Sequence, residues 1–372
     1  VRSRSSLIAL TLSGVLGCSS SSGSGAGPDA SAEDATAVDS GTGTDGEAGA
    51  DARGEAAVRD AASGDAGGDG GCMSAAGPDG GCVVALAIDQ DGPVAIAVDP
   101  GFVYWATSAA DGGVFRTPIG GGAITTIASD LPSPLAVAVD GTSVYWISQG
   151  SHVVMRAPLD GGAGSAVLGV GDNPQALAID ATSVYVTTSN GAVVAGPLAG
   201  GSPPVTLASG QQQPGSLAVD ATNVYWLDAA GTASVLSVPK TGLPDGGAPG
   251  VLVVGENQPY ALALDATNVY WTSVGSGSVR SAPKTGVPEG GAPSTLLAGV
   301  DTPAGIAVGT SRVYVTSDTG AGALLAMPRA GTGGTAATIV GGQGYPSAVV
   351  TDGLRLFWVD SSSAGSVMQV AE

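Results

Sequence analysis

Apolar and polar positions recur along this chain with one long period and, inside each period, with the short rhythm of strands. A proline opens a run of apolar or small residues that closes on Asp or Gly. A short polar turn follows, and then a Val/Leu, Tyr/Phe, Trp/Val triplet. Pro134-Leu-Ala-Val-Ala-Val-Asp140 leads in this way to Val144-Tyr145-Trp146, and Pro259-Tyr-Ala-Leu-Ala-Leu-Asp265 to Val269-Tyr270-Trp271. The closing position falls at Asp99, Asp140, Asp180, Asp220, Asp265, Gly309 and Asp352, in steps of 41, 40, 40, 45, 44 and 43 residues. A repeat of that length, made of short strands and Gly-rich turns, predicts the blade of a β-propeller.

Each repeat parses into four strands. In the first they span 95–99 (inner), 102–106 (second), 114–117 (third) and 124–127 (outer). The inner runs of Val, Ile, Leu and Ala show little polar alternation, as expected of strands buried on both faces. In the second strand, Val and Trp share one face and Tyr takes the other. Both faces meet neighbouring blades, so both positions are expected in the core. Third strands close at Pro118, Pro158, Pro197, Pro239, Pro283 and Pro328, where pairing ends and Gly-rich hairpins begin. The last repeat supplies only 348–351, 354–359 and 366–370, while an unassigned strand, 83–88, precedes the first inner strand. The predicted fold is therefore all-β: a seven-bladed propeller of four-stranded blades, its ring closed by the N-terminal outer strand pairing with the last blade.

The phrase Pro-x-Ala-Leu-Ala-Leu-Asp, followed by Val-Tyr-Trp-Thr, resembles the YWTD repeats of lipoprotein-receptor propellers and, more loosely, NHL repeats. Tyr225-Trp226-Leu227-Asp228 and Phe357-Trp358-Val359-Asp360 come close, and Tyr270-Trp271-Thr272-Ser273 differs at the final Asp. The likeness runs from about residue 83 to 372 and extends to bacterial lipoproteins with the same repeat. The sequence departs from those receptor families in having seven repeats where six are usual, and in Val186 and Val315, which stand where Trp is expected. The resemblance implies recognition rather than catalysis, although a shared fold alone is a weak warrant for function.

Ahead of the repeats the composition changes. With Val1 as an alternative start codon, Arg2 and Arg4 precede an apolar stretch from Leu7 to Leu16, which reads as a signal peptide over 1–17. Val15-Leu16-Gly17-Cys18 resembles a bacterial lipobox, with Cys18 as the lipid attachment site and the mature N-terminus. An ordinary cleaved signal or a membrane anchor are the alternatives, but the stretch is shorter than the roughly 20 residues a spanning helix needs. Ser19 after the cysteine resembles lipoproteins passed on to the outer membrane. The expected location is thus the cell envelope, lipid-anchored, at the outer membrane. Residues 18–81 are Gly, Ser, Ala and Asp with few large apolar groups, the composition of a disordered, self-repelling tether. The propeller is expected over 82–372. Cys72 and Cys82, in an oxidising compartment, suggest a local disulfide, with two free thiols as the alternative.

Charge narrows the partners. Only 12% of the 372 residues are charged and the net charge is −20, so a nucleic-acid phosphate backbone would be repelled. Among the ring's own groups, the repeated Asp tempts as a carboxylate ring. It precedes pairs such as Gly141-Thr142 and Ala221-Thr222, however, where Asp satisfies turn N–H groups. The single histidine, His152, has no nucleophile motif around it.

Candidate binding chemistry remains at the channel mouth, in the loops leading into the inner strands. Asp91, Asp130, Asp172, Asn173, Gln213, Glu256, Asn257, Gln258, Asp301 and Tyr345 lie there. Polar side chains on a repeated scaffold are where such folds bind partners, although surface loops are polar in any case. Two functions follow. One is a non-catalytic, monomeric envelope scaffold that takes a protein or glycan and no cofactor. The other is a metal-dependent hydrolase or lactonase, with Ca²⁺ or a similar divalent ion on the oxygen ligands of the mouth.

Overall fold

The structure, a computed structural model, describes Cys72, Ser74–Ala76 and 81–372, apart from 109–111, 245–246, 320, 332 and 363. The expectations for the leader at 1–17, for lipid at Cys18 and for most of the tether fall outside the described residues. No helix among the described residues is long and apolar enough to cross a membrane.

Seven antiparallel sheets stand around a common axis. Blade 1 runs through an inner strand (Pro93–Val98), a second (Phe102–Thr107), a third (Gly112–Pro118) and an outer strand (Thr125–Leu131). The inner strands of blades 2 to 7 are Pro134–Val139, Pro174–Ile179, Pro214–Val219, Pro259–Leu264, Pro303–Val308 and Pro346–Thr351. Blade 7 adds Arg355–Asp360 and Gly365–Ala371 and takes its outer strand, Gly81–Gln90, from the other end of the domain. That strand closes the ring, as the repeat count requires. A further strand, Ser74–Ala76, not expected from the sequence, pairs outside it, so this sheet alone has five strands. Cys72 and Cys82 are joined as a disulfide across ten residues, with Cα atoms 5.1 Å apart.

Inner strands are buried on both faces, and they alternate by size rather than polarity. Ala95 and Ala97 face one way and Ile96 and Val98 the other, with Tyr104 over the alanines and Trp105 over Ile96. The small face of one blade accepts the large face of the next. Ala95, Ala97 and Tyr104 of blade 1 pack with Val137, Val139 and Trp146 of blade 2, and the Tyr225 face of blade 4 packs with Leu262 and Trp271 of blade 5. At the closing seam Phe357 of blade 7 lies in one cluster with Trp105 of blade 1. All five tryptophans are 0–1% exposed. Each such ring contributes on the order of 3 kcal/mol or more on truncation to Ala.

Candidate functional site

Two faces result from this architecture. On the mouth face the chain enters each inner strand and turns from second strand to third; on the far face it leaves the inner strand. The mouth face is built on one bond repeated seven times. The residue before each inner-strand proline gives its carbonyl to an N–H just past the second strand: Ser108 to Gly92, Gln149 to Ser133, Ser189 to Asn173, Ala229 to Gln213, Val274 to Gln258, Asp318 to Thr302 and Ser361 to Tyr345, at 2.9–3.2 Å. Six of those carbonyl residues hold a left-handed backbone: Gly92 at φ 59°, Ser133 at 52°, Gln213 at 78°, Gln258 at 53°, Thr302 at 46° and Tyr345 at 65°. Glycine alone adopts that conformation without strain, and a β-branched residue such as Thr302 adopts it least readily.

The candidate residues divide by what the fold already asks of them. Asp91, Gln213, Asn257, Gln258 and Tyr345 are exposed. Among the described residues their side chains form no hydrogen bond. Tyr345 leaves half of its surface open to solvent. Asp130 and Asp301 are also exposed but accept from neighbours, Ser129 Oγ at 2.9 Å and Thr302 Oγ1 at 3.3 Å. Asp172 and Asn173 are half-buried, and the Asp172 carboxylate accepts the N–H of Asn173 at 2.7 Å.

Glu256 departs from the arrangement expected of a mouth ligand. It is 7% exposed. Its carboxylate accepts from Trp271 Nε1 at 2.8 Å, Ser273 Oγ at 3.1 Å and Arg280 Nη1 at 2.6 Å. The physical reason is the buried indole N–H, which needs an acceptor. Gln90 and Gln343 do the same work for Trp105 and Trp358, at 2.9 and 3.2 Å. All three acceptors stand fifteen residues before their Trp and three before their Pro. Gln211 has the same spacing to Trp226 and Pro214, yet the Trp226 indole N–H has no acceptor among the described residues, so the spacing alone does not place Glu256 inside the blade.

Acidic groups dominate this face. Asp228, Asp318 and Asp360 end or follow second strands. Asp228 and Asp360 each hold the mouth loop through one backbone N–H, from Gln212 and Gly344, at 2.8 Å. Burial raises the Asp228 carboxyl against the N–H groups of Gln212 and Ala230. Burial, and then the charge of Asp360, raises that of Asp318. Burial and then Asp318 push the Tyr260 phenol up to about 12, so blades 5, 6 and 7 share one negative field. Arg280 is already paired with Glu256, at 2.6 Å. His152 is exposed beyond the short 3₁₀ turn Gln149–Ser151. No three His, Cys, Asp or Glu side chains among the described residues converge closely enough to hold a metal ion.

The repeated Asp belongs to the far face and is consumed there. In blade 3, one oxygen of Asp180 accepts the N–H groups of Thr182 and Ser183, and the other accepts Tyr185 Oη at 2.8 Å. Asp99, Asp140, Asp220 and Asp265 repeat the pattern with Tyr104, Tyr145, Tyr225 and Tyr270. In Asp180 burial works to raise the carboxyl, but Lys240, the turn N–H groups and Tyr185 together leave it well below the usual range. Asp220 follows, with Lys284 as its cation. Asp140 and Asp265 are lowered through the same contest of burial against hydrogen bonds.

No family model and no curated protein matches the sequence. Solved structures share the fold. A streptogramin B lyase superposes with a TM-score of 0.61 at 12% identity, over 77% of this chain and 96% of its own. A catalytically inactive virginiamycin B lyase from Staphylococcus aureus, solved with quinupristin, gives 0.62 at 11% identity, over 78% and 98%. The computationally designed Ika8 protein gives 0.53 at 14%, over 76% and 98%. At such identities the likeness is one of fold.

Proposed function

We propose that this protein is a non-catalytic recognition scaffold that binds a protein or glycan on its mouth face, held at the cell envelope by a lipid on Cys18. One observation carries the reading: seven backbone bonds fix the mouth turns, while Gln213, Gln258 and Tyr345 project from them with side chains that form no hydrogen bond among the described residues. Preorganised turns lower the ordering cost of binding. An exposed aromatic ring among amides and carboxylates suits the apolar face of a sugar or a side chain of a partner protein. The shared fold of the lyases does not transfer their chemistry, because function resides in sites rather than folds.

The test is a Gln213→Ala/Gln258→Ala/Tyr345→Ala triple variant of the full chain, screened beside the parent against a glycan array and envelope extracts. The expected result is an unchanged melting temperature with loss of whatever the parent captures. Undiminished capture by the triple variant would sink the proposal. A melt of metal-stripped protein against divalent ions runs in parallel, since a ligand at 100 times its Kd adds about 2.7 kcal/mol. A specific calcium or zinc shift would transfer the conclusion to a metal-dependent hydrolase or lactonase.

A further inference from the structure

On the far face, the residue that follows the third-strand proline reaches back across a seam between blades. Lys240 of blade 4 meets Asp180 of blade 3 at 2.6 Å, Lys284 of blade 5 meets Asp220 of blade 4 at 2.9 Å, and Arg329 of blade 6 meets Asp265 of blade 5 at 3.5 Å. Lys240 and Lys284 also lie over the rings of Tyr185 and Tyr225, at 5.3 and 5.4 Å. The next seam breaks the rule twice. Blade 6 has Gly309 where the acceptor Asp should be. In blade 7 Ala371 occupies the proline's register, opposite Arg355, so the residue in the cation's place is Glu372.

The two exceptions answer one another. The Glu372 carboxylate accepts Tyr314 Oη of blade 6 at 3.0 Å, the hydrogen bond that Asp180 or Asp220 accepts from its own Tyr. Its other oxygen accepts Thr351 Oγ1 at 2.9 Å. A Cβ built at Gly309 would fall on that carboxylate. An Asp at 309 would therefore collide with Glu372 and repel it, while a Lys at 372 opposite glycine would have no anion to meet.

We infer that Gly309 and Glu372 are a matched pair, a charge-inverted clasp that locks blade 7, the blade assembled from two distant parts of the chain, onto blade 6. The carboxylate is delivered from the following blade instead of from the inner strand, and the notch left by the missing side chain receives it. Four consecutive seams, from blade 3 to blade 7, are then fastened on the far face by the same structural position. The three remaining seams carry Ile119, Leu159 and Leu198 there.

The experiment compares thermal melts and amide hydrogen exchange of the full chain with those of Glu372→Ala, Glu372→Gln, Gly309→Asp and the double variant Gly309→Asp/Glu372→Lys. Glu372→Ala and Glu372→Gln should each lower Tm by about 2–4 °C and speed exchange in Gly365–Ala371 and Gly81–Gln90 before blades 3 and 4. Gly309→Asp should fall further, and adding Glu372→Lys should recover at least half of that loss by rebuilding the clasp of the neighbouring seams. The inference is overturned if Glu372→Ala leaves Tm and blade 7 exchange unchanged, or if the double variant is no more stable than Gly309→Asp. Should Gly309→Asp fail to fold, the two Glu372 variants decide alone.

Discussion

A carboxylate such as Asp180 costs free energy to bury and returns it through the bonds it accepts, so its protonation state couples directly to stability. Asp140, Asp180, Asp220 and Asp265 titrate lower in the folded chain than in the unfolded one, where Asp titrates near 3.9. Their contribution is fully present above about pH 4 and is lost as the pH falls through the lowered folded values. Asp228 and Asp318 run the other way: their carboxyls are raised, so the folded state gains as they take up protons between the raised value and about pH 4. Urea midpoints from pH 7 to 3 should therefore drop steeply only below about pH 4. An Asp180→Asn/Asp220→Asn variant should be weaker by about 2 kcal/mol per site at pH 7, with a shallower acid loss. At the alkaline end Tyr225, pushed up to about 12 by burial and Asp220, withdraws stability as the pH rises from about 10 to about 12. The turn role of these aspartates was legible because the N–H groups they accept lie two and three residues away. Glu256 was not, because its fate depends on Trp271 and Arg280, fifteen and twenty-four residues on.

Strands were read from a rhythm that local chemistry writes plainly: proline at the start, Asp at the end, and apolar residues on both faces between. The size alternation within them was missed, since hydropathy treats Ala and Ile alike while packing does not. Ser74–Ala76 was missed as well, because three small residues carry no alternation and the strand exists only by pairing with its neighbour. Second strands differ in how their indole is satisfied. Trp271 donates to Glu256, but the Trp146 N–H is buried with no acceptor among the described residues, its equivalent position being Leu131. Trp271→Phe should thus cost about 1–2 kcal/mol more than Trp146→Phe, measurable by chemical denaturation of the two variants side by side. Equal losses would mean that the hydrogen bond to Glu256 contributes little beyond ring packing.

At the scale of the molecule, ring closure joins sequence positions nearly three hundred residues apart, and the repeat count alone exposed it: seven inner strands and one outer strand out of place. Deleting residues 81–90 should leave the edge of Gly365–Ala371 unpaired and yield a protein that self-associates, seen as high-mass species in light scattering. A monomeric, fully stable deletion would show that the closing strand is dispensable. The mouth face was harder to read, since which polar residues point outward depends on backbone conformations with no sequence signature. Its seven turns nonetheless lead back to one feature. Gly92, Ser133, Asn173, Gln213, Gln258, Thr302 and Tyr345 occupy the same station, and each lends the ring its carbonyl oxygen, while Asn173 and Thr302 add only local bonds to Asp172 and Asp301. Within the limit set by the left-handed backbone, the side chains at that station can change through descent, or be randomised in a library, one turn at a time and without renegotiating the ring. If the mouth face binds as proposed, its specificity can be rewritten like type in a fixed frame.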